Sequence, residues 1–460
     1  MSKFDLIVVG GGPGGYVAAI RASQLGLSTA LVEKEHLGGV CLNWGCIPTK
    51  ALLRTAEVKA LITHAKEFGL KVGPVEIDLK AIVGRSRNIS AQLAGGVKHL
   101  LKKNKVTVLE GHARLKGAGN LIVDSQGASQ EISAPHIILA TGATARILPG
   151  IEPDGKLVWT ARHAMTPENL PKSLLIIGSG AIGIEFASFY RTLGSDVTVV
   201  EIQNRILPQE DEEISALAQK AFEKQGIKFL LGTSVEKVEK GKHNISVVLQ
   251  DKKQTFDGLI LAVGVVGNTK DIGLEKTKVQ VERGQIVINE WCQTSEPGIY
   301  AIGDVVGPPW LAHKASHEGI ICVEKIVGVP GAHPLNVHNI PGCTYSLPQV
   351  ASIGMTEAQA RATGLTDLKI GRFPYKANGK ALALGDTEGL IKTIFDGKTG
   401  ALLGAHMIGA EVTELIQGFG IAKTLETTET ELMQAIFPHP TLSEMMHESV
   451  LDAYGQAIHF

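Results

Sequence analysis

Apolar residues in this chain come in short runs that stop at glycine, and one such pattern occurs twice. Leu6 to Val9 reads as a buried strand, and Gly10-Gly11-Gly12-Pro13-Gly14-Gly15 as a turn. Ala18, Ala19, Ala22 and Leu25 then form the apolar face of a helix that ends near Gly26. A second strand, Ser28 to Val32, ends at Glu33. The pattern returns as Leu174 to Ile177, the turn Gly178-Ser179-Gly180-Ala181-Ile182-Gly183, and a helix to about Leu193. Its closing strand is Val197 to Val200, ending at Glu201. Both copies place Gly-x-Gly-x-x-Gly between strand and helix, with an acidic residue 18 positions after the third glycine.

This repeat has a physical meaning. The first glycine permits the tight turn, and the second lets backbone N–H groups approach a pyrophosphate. The helix N-terminus adds partial positive charge, and the terminal carboxylate accepts hydrogen bonds from ribose hydroxyls. A single copy is also how an ordinary glycine turn looks. Two complete copies predict an α/β chain with two Rossmann-like dinucleotide-binding domains. The candidate binding residues are Gly10, Gly12, Gly15 and Glu33 in the first, and Gly178, Gly180, Gly183 and Glu201 in the second.

Proline and glycine from Leu148 to Pro153 mark a linker before the second copy. Strands are predicted within Asn104–Val123 and Ile132–Leu139, and over Ile227–Leu231, Ile245–Leu249, Leu259–Val263 and Ile299–Ile302. Another boundary falls near Pro330 to Pro341. Beyond Val337, strands (Ile391–Phe395, Leu402–Ile408) mix with helices (Glu411–Lys423, Glu431–Ala435, Leu442–Asp452), an α+β pattern with no third dinucleotide signal. The chain thus divides into residues 1–147, 148–270, 271–336 and 337–460.

Composition narrows the setting. A chain of 460 residues exceeds one ordinary core, so several domains are expected. A net charge of −1 leaves no electrostatic footprint for nucleic acid or an anionic membrane. No signal-type segment opens the chain, and apolar stretches are too short or broken to span a bilayer. Five cysteines, an odd number, argue against a secreted disulfide framework and for a cytoplasmic, reducing setting. Cys292, Cys322 and Cys343 are isolated and read as buried, inert thiols.

Cys41 and Cys46 are the exception. Three readings are open: a redox disulfide, half of a metal site, or two unrelated core cysteines. A zinc site wants a second Cys or His pair, and none is evident because His64 stands alone. The sulfurs meet if the intervening residues curl into irregular helix, with Gly45 easing the bend. A helix starting there favours thiolate over thiol.

The run Gly38-Gly39-Val40-Cys41-Leu42-Asn43-Trp44-Gly45-Cys46-Ile47-Pro48-Thr49-Lys50 resembles the active-site segment of the pyridine nucleotide–disulfide oxidoreductases. The likeness spans the chain. Ala140-Thr141-Gly142 is similar to that family's motif joining its flavin and NAD domains, and Thr294 to Asp304 to its second flavin motif. Phe437-Pro438-His439-Pro440-Thr441-Leu442-Ser443-Glu444 is similar to its catalytic-base segment. Within the family, the segment looks most like the branch that reoxidises dihydrolipoyl groups of 2-oxoacid dehydrogenase complexes.

The resemblance implies FAD bound by residues 1–147, completed by 271–336, NAD bound by 148–270, and a C-terminal dimerisation domain at 337–460. It makes Cys41 the thiol that exchanges with substrate and Cys46 the thiol set against the flavin. Lys50 then lies near the flavin and pairs with Glu185. Thr141, Gly142, Asp304 and Ala312 contact FAD, Asp304 at the ribityl chain and Ala312 by its backbone, and Gly264 borders the nicotinamide. His439, oriented by Glu444, becomes the base for a disulfide on the other subunit of a homodimer, with His447 as second candidate. Taken alone, His439 between two prolines reads rather as a rigid surface loop, and Thr441-x-x-Glu444 as a capping box; only the resemblance turns this to a base. Glu201 suits the free 2′-hydroxyl of NAD, with Arg205 close by. The implied partners are lipoyl domains and the core acyltransferase subunit; no metal, nucleic acid or membrane is implied. The rival readings are an NAD(P)H-dependent reductase of another disulfide, such as glutathione, and a non-catalytic flavin-binding scaffold.

Overall fold

The computed structural model describes residues 2–125 and 127–460. The chain forms two compact units: Met1–Leu52, Lys80–Arg146 and Gly264–Leu335 in the first, and Leu53–Leu79, Ile147–Val263 and Asn336–Phe460 in the second.

The first unit is built on a parallel sheet in the order Ile299–Ala301, His136–Leu139, Leu6–Val9, Thr29–Glu33, Thr107–Glu110. Its central strands are apolar throughout because both faces are covered. Ile7 and Val9 face one core, with Leu115, Leu121 and Ile132 of a four-stranded sheet. Leu6 and Val8 alternate to the other side, against Ala18, Ala19, Val97, Leu101 and Val323 of three helices. Two of these helices, Pro13–Gln24 and Ala312–Val327, cross at glycines. A Cβ at Gly319 would come within 2.7 Å of the Gly14 carbonyl oxygen, so small residues set how closely the backbones approach.

The second unit repeats the sheet: Val158–Trp159, Gly258–Leu261, Ser173–Ile177, Asp196–Val200, Lys228–Leu230, all parallel. It also holds a five-stranded antiparallel sheet ordered Gly342–Thr344, Gln349–Gly354, Leu402–Gly409, Leu390–Asp396, Leu368–Pro374. The helices Val412–Thr424 and Glu444–Ala453 bury Ile416, Phe419, Met445 and Val450 in the core of that sheet.

Several expectations shift. The Asn104–Val123 stretch is three strands beginning at Thr107, because a 25-residue helix, Leu79–Lys103, runs into it. Ile132–Leu139 divides between two sheets, broken by Ala134 and Pro135. The last helix starts at Glu444, not Leu442, and Thr441 does not close a capping box. Its hydroxyl bonds Pro438 and Ser443 instead. Cys292 and Cys322 are buried, but Cys343 is only half-buried, on an edge strand.

Candidate active site

Both glycine turns are forced by contact. Gly10 and Gly178 have φ of +106° and +101°, and a Cβ on either would sit 2.2 or 2.4 Å from the carbonyl oxygen of Ala140 or Ala262. A Cβ at Gly15 or Gly183 would lie 1.9 or 2.0 Å from the Gly10 or Gly178 oxygen. The middle glycines differ in kind. Gly12 would meet only Gly39 Cα, at 3.9 Å, and Gly180 nothing within 4 Å. Each is the N-cap of its helix without a side-chain cap, so no capping side chain takes up the first-turn N–H groups. That is a cradle fitted to a dinucleotide pyrophosphate.

The carboxylates close these turns. Glu33 Oε2 accepts the Gly11 N–H at 2.6 Å and Oε1 the Glu35 N–H at 2.7 Å. Glu201 is buried, accepting the Ser179 N–H at 2.9 Å, the Ser179 hydroxyl at 2.8 Å and the Gln203 N–H at 2.9 Å. Arg205, the cation near this position, is paired with Glu212 at 2.8 Å and donates to the Pro208 carbonyl.

The cysteine loop is seated on the first turn. Gly38 donates to the Gly11 carbonyl at 2.8 Å, and a Cβ on Gly39 would lie 2.7 Å from Gly12 Cα. The helix Gly39–Trp44 breaks at Gly45, and the helix Cys46–Thr63 starts at once. Cys41 and Cys46 span the break as a disulfide, their Cα atoms 4.7 Å apart. Both are half-buried, and Cys46 opens an 18-residue helix whose N-terminus favours a thiolate. Buried Asn43 braces the loop, donating to the carbonyls of Leu37 and Gly39, and Thr49 caps Gly45. Lys50 follows on the same helix, in the first unit. Glu185 is buried in the second, where it accepts the Tyr345 amide at 2.9 Å.

Asp304 lies in the turn Gly303–Val306. Burial raises its pKa; the Lys314 cation opposes this and Glu318 adds to it. Sequence reading did not single out that ion pair, 2.8 Å long and buried, in which Glu318 also accepts the Gly303 amide. Ala312 is the first residue of its helix, again without a side-chain cap, which leaves its backbone open to a ligand. Thr141 and Gly142 are tied to Asn268: the Thr141 hydroxyl donates to the Asn268 carbonyl, and the Asn268 amide to Gly142. Asn268 also went unrecognised, since only pairing of Ala143–Ala145 with Val265–Gly267 brings it there. Gly264, at φ +95°, precedes that strand and accepts from Arg146.

In the second unit, His439 Nδ1 meets Glu444 Oε1 at 2.9 Å, and Glu444 Oε2 accepts the Thr441 N–H at 2.8 Å. A carboxylate only accepts, so Nδ1 carries a proton, and in the neutral ring the lone pair is on Nε2. The imidazole is exposed, at 78%. Burial pushes Glu444 upward, but the Thr441 amide and His439 outweigh it and hold the carboxyl below its ordinary range. His447 contacts the Met433 carbonyl through Nε2 and stacks near Phe437. Among the described residues, no helix is long and apolar enough to cross a membrane.

Residues 4–319 match the family model described as pyridine nucleotide-disulphide oxidoreductase, and residues 340–450 match the dimerisation domain of the same family. The chain is 56% identical to a dihydrolipoyl dehydrogenase of Rhizobium etli, with 99% of each chain covered. It is 54% identical to one of Zymomonas mobilis, again with 99% of each covered, and 45% identical to one of Bacillus subtilis over both full lengths. Among solved structures it resembles LpdA of Mycobacterium tuberculosis, with a TM-score of 0.91, 26% identity, and 98% of this chain and 99% of that one covered. It also resembles the HOCl-induced flavoprotein disulfide reductase RclA of Escherichia coli, solved as a Cu(II) complex, with a TM-score of 0.89, 27% identity, and coverage of 98% and 99%.

Proposed function

This chain belongs to the pyridine nucleotide–disulphide oxidoreductases, and from that premise we propose that it is a dihydrolipoyl dehydrogenase. The reaction is dihydrolipoyl group + NAD⁺ → lipoyl group + NADH + H⁺. The observation that carries this reading is the Cys41–Cys46 disulfide placed on the first dinucleotide turn, at the head of a helix.

His439 Nε2 takes a proton from the dithiol, and Glu444 holds the ring in the required tautomer. The substrate thiolate attacks Cys41 Sγ; the sulfur–sulfur bond breaks, and Cys46 leaves as a thiolate. The second substrate sulfur then attacks the mixed disulfide as its proton passes to the Cys41 sulfur, releasing the lipoyl disulfide and the Cys41 thiol. FAD, when bound, supplies the acceptor for the electron pair, and NAD⁺ the carrier that removes it as hydride. Asp304, the Ala312 backbone, Thr141, Gly142, Glu33 and Lys50 would hold the flavin. Glu201 and Gly264 serve the NAD site. Buried, acidic Glu201 suits the free 2′-hydroxyl and would repel a 2′-phosphate, which favours NAD over NADP.

The flavin domain comprises residues 1–147 and 271–336, the NAD domain 148–270, and the dimerisation domain 337–460. The working form is a cytoplasmic homodimer in which each His439 serves a disulfide on the other subunit. It takes its substrate from lipoyl domains around the core acyltransferase of a 2-oxoacid dehydrogenase complex. Cys46→Ser is expected to abolish dihydrolipoamide turnover while FAD stays bound. Undiminished turnover, or wild-type activity with NADPH and glutathione in place of NAD⁺ and dihydrolipoamide, would overturn the assignment.

A further inference from the structure

One helix grips the cysteine loop from outside. From Leu79–Lys103, Arg85 donates to the Ala51 carbonyl at 3.0 Å and Ser86 to the Pro48 carbonyl at 3.1 Å. Arg87 reaches furthest in. Its Nη1 donates to the Asn43 carbonyl at 2.7 Å, its Cζ lies 4.5 Å from the centroid of the Trp44 ring, and its Nη2 donates to buried Ser90 at 3.1 Å. Asn43 and Trp44 are two of the four residues between the cysteines. One guanidinium therefore holds the middle of the loop by a charge-assisted hydrogen bond and by stacking, and Ser90 fixes the guanidinium.

The disulfide itself ties the loop only while it exists. Two electrons and two protons convert it to two thiols, and the covalent tie is gone. The distance between the sulfurs then depends on the backbone of residues 42–45. A loop that stays in shape gives the thiols a high effective concentration for closing again, whereas a loop that spreads gains entropy and favours the dithiol.

We propose that Arg87 is a positioning residue for the redox cycle, keeping Asn43 and Trp44 in the shape that lets Cys41 and Cys46 rebond. The inference rests on the cysteine pair being redox-active, as in the function proposed above. Lysine cannot substitute, because a flexible point charge neither stacks flat on Trp44 nor forks between two acceptors.

The test equilibrates flavin-loaded wild type, Arg87→Lys and Arg87→Met with graded ratios of reduced and oxidised dithiothreitol. Protein disulfide plus reduced dithiothreitol exchanges with protein dithiol plus oxidised dithiothreitol. Alkylation and mass spectrometry of the Cys41–Cys46 peptide count the thiols. Both variants are expected to favour the dithiol by about tenfold, a rise of about 30 mV in potential. Rescue by lysine, a shift toward disulfide in Arg87→Met, or no shift in either overturns the inference. If the Arg87 variants do not retain flavin, Trp44→Leu removes the stacking partner from the other side, and must shift the equilibrium the same way. A wild-type pair that no ratio reduces sinks the proposed function, and this inference with it; that result is distinct from variants that match a reducible wild type.

Discussion

The two glycine turns share one plan and deliver different things. In both, the chain leaves the acidic residue and returns to the turn: Gly38 donates to the Gly11 carbonyl, and Leu207 to that of Ser179. After the first return comes the cysteine loop. After the second come Glu210, Asp211 and Glu213, which lead into a buried charge cluster. Lys392, 3% exposed, sits among Asp211 at 2.9 Å, Glu213 at 3.1 Å and Glu357 at 2.9 Å, with Arg372 also on Glu213. The same backbone device thus presents a reactive covalent bond in one unit and a fixed ionic anchor in the other. Gly11 and Ser179 show the difference in miniature. The Ser179 hydroxyl adds a bond to buried Glu201, whereas a Cβ at Gly11 would press on Leu37 and Glu33 at 3.0 and 3.1 Å.

If the second turn is anchored by charge and the first by backbone contact, removing Lys392 should cost most. Lys392→Met leaves Asp211 buried without its cation and should destabilise by about 3–5 kcal/mol, read as a fall in melting temperature. Reducing the disulfide, which closes only a short loop, should remove about 2 kcal/mol. Burial pushes Asp211, Glu213 and Glu357 up, but their cations outweigh it and hold all three below the ordinary carboxylate range. Their contribution is therefore present above that range and is lost as acid protonates them. The gap between wild type and Lys392→Met should accordingly narrow in acid. A gap that stays constant with pH would mean packing, not charge, anchors the second turn.

The middle glycines sharpen the comparison by ligand. Gly12 and Gly180 have ordinary φ of −70° and −68°, and their Cβ positions are open. Alanine at either should change stability by less than about 1 kcal/mol. Gly180→Ala should still raise the KM for NAD⁺ by at least about tenfold, with flavin content unchanged. Gly12→Ala should weaken flavin retention and leave NAD⁺ affinity alone. One variant affecting both cofactors would break the division of labour between the turns.

Periodicity made the repeated strand–turn–helix legible, because each of its residues answers to a local constraint. His439 and Glu444 were marked only by the likeness of their segment to the family's, since a histidine between two prolines looks like a plain surface loop; the 2.9 Å contact between them emerges from the fold. The Leu79–Lys103 helix was not legible: its buried face mixes Ser86 and Ser90 with Val97 and Leu101, Leu93 and Leu100 are exposed, and Gly84, Gly95 and Gly96 fall within it. Serines and glycines break up its apolar stripe, and Arg87 itself gave no signal. Its partners lie 43 and 44 positions back along the chain. Lys392 was hidden likewise: a lysine within an apolar strand looks like an error until Asp211, 181 positions away, is beside it.

The smallest effect tests whether the anchor has a flaw. Glu210 precedes the cluster, and its Oε2 is shut from solvent without a hydrogen-bond partner. Burial lifts its pKa to about 6, with Ser352 opposing and Asp211 adding to the rise. A carboxyl raised in the fold keeps its proton longer than in the unfolded chain. Stability therefore falls as pH climbs from the ordinary glutamate range to about 6, and the penalty is complete above it. Glu210→Gln keeps the shape and removes the charge. It should raise stability at pH 7.5 by about 1 kcal/mol and leave it unchanged near pH 4, in paired thermal melts. An equal gain at both pH values would trace the effect to packing, and the second turn would then carry no electrostatic cost for its anchor.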